Sequence, residues 1–386
     1  MSKKSLLFAL KAASLSLAAT TPLLAAETSG DKTPPPPTLE QKPAATTAPV
    51  VASGVAIDTA RKTSPAEKAA FAFWVENDYK WSDKYYTNGL KLAYTSPELF
   101  YNDKAPPFIE DLCGITPLAS PSGTNPAAYR FHFGITQEIY TAKDEYIHNP
   151  PMNDHPYAGR LYGSIGISSE TDYRLDVLEL SLGVTGPSSL AKQAQNTWHG
   201  IIDDPKVEGW GTQFGNEPLI QFVWERLWRV SIHKNESFGI DVIPHLHLEA
   251  GTANVYASAG AQFRLGWNLP EDFGVSLLRT SAGTTRPARN ANYDAPISWA
   301  PDAFYFYFDM QGEGWAWNNA LDGGLWRDSN GRTVNRRDWI GQGSVGFAAH
   351  WGMWKLCFSQ VVRSKEFVSQ DHSVFVFSSV TLGVVF

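Results

Sequence analysis

FVFSSVTLGVVF, residues 375–386, ends the chain. Val380, Leu382, Val384 and Phe386 alternate with Ser379, Thr381 and Gly383, so apolar and small polar side chains fall on opposite faces of a strand with period two. The same pattern recurs upstream. In PLIQFVWERLWRVSI (218–232), Ile220, Phe222, Trp224, Trp228, Val230 and Ile232 share one face; Gln221, Glu225, Arg229 and Ser231 share the other. Arg226 interrupts the apolar face, which suits a place near an interface. RFHFGITQEIY (130–140) sets Phe131, Phe133, Ile135 and Ile139 against His132, Thr136 and Glu138. VLELSLGVT (177–185) sets Leu178, Leu180, Leu182 and Val184 against Glu179, Ser181 and Thr185.

A soluble sandwich would alternate in the same way, so the number of strands and the two ends of the chain decide the class. The first 26 residues carry Lys3 and Lys4, then an apolar run, then small residues at Ala25 and Ala26. That order is a cleavable secretory signal. Residues 27–65 are rich in Pro, Thr and Ala without apolar period, and read as a disordered periplasmic leader. No later stretch is long and apolar enough for a membrane helix. Yet the chain holds 14 Trp, 15 Tyr and 21 Phe, as expected where aromatic girdles flank a membrane barrel. A secreted chain whose last strand stops on Phe386 has the form that the barrel-assembly machinery of the outer membrane reads. The expected fold class is therefore an all-β, transmembrane antiparallel barrel over residues 66–386, embedded in outer-membrane lipids.

About twelve strands are expected, near 70–78, 86–96, 128–140, 157–171, 174–186, 218–233, 238–250, 254–268, 302–313, 336–350, 351–366 and 372–386. An even number places both termini in the periplasm. Odd strands then run outward, and the connection 269–301 becomes a long periplasmic one. The formal charge of −7 falls to −10 once Lys3, Lys4 and Lys11 leave with the signal, with 29 basic against 39 acidic residues. That excludes nucleic acid as a partner. Cys113 and Cys357 are expected to stay unbridged.

Two segments depart from the strand pattern. In WVENDYKWSDKYYTNGLKLAY (74–94), one strand ends in Glu76-Asn77-Asp78 and the next begins around Thr87-Asn88-Gly89. A hairpin brings Asn77, Asp78 and Thr87 together at the extracellular end. In GPSSLAKQAQNTWHGIIDDPKVEGWGTQ (186–213), a helical run between Ser188 and Asp203 places Gln195 and His199 on one face. This short helix lies in an extracellular loop. A neutral histidine can take a proton from water, and a carboxylate with nearby carbonyls can hold a hard cation. Those parts suffice for ester hydrolysis without a covalent serine. Asn-Asp and Thr-Asn-Gly are also ordinary turn formers, and on spacing alone His199 is equally a solvated helix residue. His245 and His247, two apart on a strand, fit a polar lumen. Glycine-flanked serine elbows, Cys-x-x-Cys pairs and phosphate loops are absent from the sequence.

At these residues the chain resembles the outer-membrane lipid A 3′-O-deacylase family. The matching pieces are Glu76-Asn77-Asp78, Tyr86-Thr87-Asn88-Gly89-Leu90, ITQEIYT (135–141), NDHPYAGRLYGSIG (153–166), QNTWHGIIDD (195–204) and GWGTQFGNEP (209–218). The resemblance implies a twelve-stranded barrel and a calcium-dependent hydrolase that removes the 3′-linked acyloxyacyl chain of lipid A, the anchor of lipopolysaccharide. By it His199 is the base on water with Gln195 beside it. Asn77, Asp78 and Thr87 form the facing wall, and Asp78 and Asn77 bind calcium. Two departures stand out. The family's lysine after the third strand has only Lys143 near it, and the glutamate expected six residues after the histidine falls on Pro205. Asp203 or Asp204 would then serve instead. Two other readings are a serine-dependent outer-membrane phospholipase and a non-catalytic porin or adhesion barrel.

Overall fold

A computed structural model describes residues 68–78, 84–101, 106–120, 127–278, 287–288, 290–294, 296–326 and 332–386. The expected signal (1–26) and leader (27–65) lie outside the described residues. Twelve strands make one closed antiparallel barrel: β1 (Ala70–Asp78), β2 (Tyr85–Thr95), β3 (Ala128–Thr141), β4 (Ala158–Glu170), β5 (Arg174–Thr185), β6 (Glu217–Trp228), β7 (Phe238–Gly251), β8 (Asn254–Trp267), β9 (Ala303–Asn318), β10 (Trp339–Trp351), β11 (Trp354–Ser364) and β12 (Val374–Val385). β12 returns to β1, with Ala70 opposite Val385, and Ala69 and Phe386 exchange backbone hydrogen bonds of 2.9 Å just beyond. Closure leaves no row of unpaired backbone groups facing lipid.

The alternation read from the sequence is the alternation of the wall. Phe73, Ile135, Phe222 and Leu382 lie exposed on the outside, while Lys91, His132, Glu179 and Glu225 are buried in the lumen. β6 stops at Trp228 and resumes as a short strand, Val230–Lys234, rather than running unbroken to 233. The structure also adds two helices that carried no clear sequence period: α1 (Pro107–Ile115), between β2 and β3, and the single turn Asn319–Asp322 after β9. Cys113, on α1, and Cys357, on β11, are both free thiols.

α1 explains Arg226. The Arg226 guanidinium donates from Nε to Asp176 Oδ1 at 2.5 Å and from Nη2 to the carbonyl of Pro117 at 2.5 Å, just past α1. It also lies 5.4 Å and 5.8 Å from the rings of Trp224 and Trp228. A charge on the outer face is tolerated because it is paired, hydrogen-bonded and flanked by aromatic faces at the end of the barrel that carries the termini.

The connection 269–301 starts at that terminal end, as expected, but its first part turns into the lumen. Arg264 of β8 donates to both Asp241 and Asp272, and Lys355 Nζ reaches Asp272 at 2.8 Å. One step further up, Gln262 clasps Val275 twice, donating to its carbonyl at 2.8 Å and accepting from its N–H at 3.0 Å. Higher still, Trp74 Nε1 donates to Ser276 O at 3.4 Å, and Leu278 N donates to Glu76 Oε1 at 2.8 Å. Residues 269–278 therefore climb inside the wall as a plug. Its apolar residues Phe273, Val275 and Leu278 are buried, and its backbone groups are met by lumenal polar side chains, as burial requires. This part of the connection was expected to lie outside the lumen. It carries no period because its partners are long polar side chains on three different strands.

Candidate functional site

The site residues gather at the end of the barrel opposite the termini. The β1–β2 hairpin and the β3–β4, β5–β6, β9–β10 and β11–β12 connections all lie there. Between β5 and β6 the chain forms a short 3-10 turn, then α2 (Ala191–Ile202). Ala191, Gln195 and His199, spaced by four, are buried on the inner side of α2, whereas Trp198, Ile201 and Ile202 are exposed. The inner face packs on the outside of the wall: Ala191 clusters with Ile139, Ala142, Tyr157 and Trp210. Ile139 points outward from β3, so the seam between wall and helix lies outside the barrel rather than in the lumen.

Gln195 anchors that seam. Its Nε2 donates to Glu145 Oε2 at 3.1 Å, and its Oε1 accepts from Trp210 Nε1 at 2.8 Å. His199 is held one turn on. Its Nδ1 lies 2.7 Å from the Pro205 carbonyl, which can only accept, so Nδ1 carries the proton and Nε2 keeps the lone pair. The backbone makes this possible. Asp203 ends α2 in a left-handed conformation, φ 58°, and Asp204 N donates back to the His199 carbonyl, turning Pro205 beneath the ring. Aspartate tolerates that conformation better than most residues. Asp204 Oδ2 also lies 3.8 Å from Nδ1. Pro205 thus supplies a main-chain oxygen to the ring, and Asp204 a carboxylate close to it.

Glu145 was not singled out in the sequence because a glutamate in a loop carries no spacing signal. With His199 and Asp204 it brings one ligand atom each within 4.8 Å of one another among the described residues.

On the wall, a bulge in β2 sets Tyr86 opposite Tyr140 and Asn88 opposite Ile139, leaving Thr87 extra. Bulges re-aim side chains, and Thr87 Oγ1 turns to Thr141 Oγ1 at 2.6 Å, on the outward face beside α2. Asn77 lies across the hairpin from Asn88. Asp78 is buried at the last position of β1 and accepts a hydrogen bond from Lys84 N. Asn77 and Thr87 therefore face outward, while Asp78 lies on the opposite face of β1 and closes the hairpin through Lys84 N. The donors of these three residues are all oxygen or amide groups, a set suited to a hard cation and unsuited to a soft one. Lys143 pairs through its ammonium with Asp371 Oδ2 at 2.9 Å, an oxygen that Lys84 of the β1–β2 hairpin also reaches at 3.6 Å. His245 pairs with Asp309 at 3.0 Å and His247 lies 3.0 Å from Tyr256 Oη, both within the lumen.

His155 was missed because its role is packing. It stacks on Tyr140 with 1° between the rings, and its Nδ1 donates to the Pro156 carbonyl at 2.7 Å. Burial pushes its pKa down to about 4, only partly opposed by that hydrogen bond. The unfolded chain binds the proton near pH 6.5, so stability falls as pH drops from there toward 4. Thermal unfolding in micelles should show a lower midpoint at pH 5 than at pH 7, and His155→Phe, which keeps the stack, should flatten the difference. Equal pH dependence in the two proteins would contradict this.

The fold and the site define a class: an outer-membrane barrel with an inward plug and a histidine-centred seam outside its wall, under a rim helix. The chain belongs to the family described as outer membrane protein LpxR, whose sequence model matches residues 44–386. A search of curated proteins finds no match. Among solved structures, LpxR from Salmonella typhimurium aligns with a TM-score of 0.63 at 18% identity, covering 82% of this chain and 100% of that one. At that identity the likeness shows the fold. The β domain of the Bordetella autotransporter BrkA has a TM-score of 0.37 at 9% identity, covering 83% of this chain and 97% of its own. The transport unit of the Escherichia coli autotransporter AIDA-I has a TM-score of 0.34 at 8% identity, covering 84% and 90%.

Proposed function

We propose that the protein is an outer-membrane esterase that hydrolyses the 3′-linked acyloxyacyl chain of lipid A, with its active site at the extracellular face. The observation that carries this is His199, buried on the inner face of α2 with its Nδ1 2.7 Å from the Pro205 carbonyl and the carboxylates of Asp204 and Glu145 close by. Family membership supports the outer membrane as its place, and the resemblance of the site motifs to lipid A 3′-O-deacylases suggests the substrate class. Ala69 and Phe386 lie at the opposite end of the barrel; with that end periplasmic, as in bacterial barrels, α2 faces the outer leaflet, where lipid A lies.

In this scheme Nε2 of His199 takes the proton of a water molecule as that water attacks the ester carbonyl. The imidazolium that results is stabilised by the Pro205 carbonyl and by the carboxylates of Asp204 and Glu145. It then gives the proton to the departing 3′-oxygen as the acyl–oxygen bond breaks and the acyloxyacyl chain leaves as a free acid. Gln195, clamped between Glu145 and Trp210, holds α2 at a fixed depth against the wall, which keeps the base oriented. The exposed Trp198, Ile201 and Ile202 offer an apolar surface to the acyl region. Calcium, held by Asp78 and Asn77, would supply positive charge beside the ester carbonyl. Thr87 and Asn77 line the wall against which the acyl ester lies. The plug in the lumen weighs against an open porin.

Lipid A extracted from cells expressing the protein should be lighter by one acyloxyacyl chain. A fluorophosphonate probe should leave the protein unlabelled, because no serine forms a covalent intermediate. Unchanged lipid A, or a labelled serine, contradicts the reading.

A further inference from the structure

Glu76 is a buried carboxylate in the lumen that the proposed chemistry does not use. Its two oxygens join three parts of the chain. Oε1 accepts from Leu278 N, at the top of the described plug, at 2.8 Å; Oε2 accepts from Tyr86 Oη at 2.8 Å. The carbonyl of the same residue accepts from Asn88 Nδ2 at 3.1 Å. Glu76 immediately precedes Asn77 and Asp78, and Tyr86 and Asn88 flank the bulged Thr87. Gly89 fits the same knot: a Cβ there would collide with the Tyr86 hydroxyl and crowd Leu278 Cδ1 at 3.1 Å. Below, Gly274 adopts φ +82°, and a side chain there would strike Gln262, the residue that clasps Val275.

We infer that Glu76 is a positioning residue: it ties the described end of the lumenal plug, Leu278, to the β1–β2 hairpin and so sets where Asn77 and Thr87 stand on the other side of the wall and where Asp78 ends β1. One sheet has two faces, and the register that places Asn77 and Thr87 outward is fixed by what Glu76 and Tyr86 do inward. The plug is then a foundation for the hairpin, reached from the terminal end of the barrel. The inference rests on the proposed deacylation only for its kinetic readout.

The test compares full-length wild-type protein in micelles with Glu76→Ala, Glu76→Gln and Gln262→Ala. Glu76→Ala should speed hydrogen exchange in peptides spanning 84–90 by about tenfold, as expected when a buried hydrogen-bonded group is removed. It should raise the calcium concentration for half-maximal deacylation by about tenfold, with KM for lipid changing less than about twofold, because a displaced hairpin misplaces charge rather than substrate. Glu76→Gln, whose amide can meet both partners, should stay close to wild type. Gln262→Ala, far from the hairpin, should shift both readouts the same way by releasing the plug. Unchanged exchange at 84–90 in Glu76→Ala overturns the inference, as does a full effect in Glu76→Gln. Absence of deacylation in every protein would contradict the proposed function alone, and the exchange comparison would then decide the positioning by itself.

Discussion

His199→Ala should lower deacylation of lipid A by about 10²–10⁴-fold, the span that a positioned general base contributes, while the barrel folds as before. The ring is buried, but α2 is held on the wall by Ala191 and by the Gln195 bridge to Glu145 and Trp210, none of which involves His199. Substrate affinity should change little, because the lost interaction acts in the transition state. Single-turnover rates with purified protein separate the two effects. A variant with wild-type rate would show that the water is activated elsewhere. A variant with normal rate but poor binding would reassign His199 to substrate recognition. Added calcium should not rescue His199→Ala.

Asp78→Asn should behave in the opposite way. One carboxylate with neutral oxygen donors makes a weak calcium site, of the order of 10⁻⁴–10⁻³ M. Removing its single charge should push half-saturation up by about a hundredfold, since a charge–cation contact in a partly buried site contributes several kcal/mol at an intermediate dielectric. Activity should return in part at high calcium. Titrating calcium against the deacylation rate checks this, and an unshifted half-saturation would place the cation away from Asp78. The Lys84 N–H on Asp78 Oδ2 makes the carboxylate part of the hairpin as well, so exchange at 84–90 should be followed in the same protein.

How much of the molecule is legible in its sequence differs from part to part. The wall is, because period-two alternation in segments such as 130–140 and 177–185 depends only on which side faces lipid. The rim helix is too, since a four-residue spacing puts Gln195 and His199 on one face of any helix that contains both. The plug is not. Val275 and Leu278 are held by Gln262 and Glu76, which belong to strands distant in sequence, so nothing local announces the turn inward. Lumenal polar residues look alike in sequence whether they face water or a plug. The Pro205 carbonyl is invisible for a different reason: a backbone acceptor has no residue type, and its position depends on Asp203 taking a left-handed conformation. Glu145 and His155 come from a loop whose order depends on the helix and wall around it. Lys143 illustrates the converse, a residue whose place near a motif does not settle its partner, since Asp371 reaches it from the β11–β12 loop.

The central claim is that this barrel hydrolyses the 3′-acyloxyacyl ester of lipid A through His199 with calcium. Tandem mass spectrometry of lipid A, incubated with the purified protein in calcium and in chelator, tests it most directly. The expected result is loss of the 3′-linked chain as a free acid in calcium, almost none in chelator, and none with His199→Ala in either. Intact lipid A in calcium, or equal loss from wild type and His199→Ala, would contradict it.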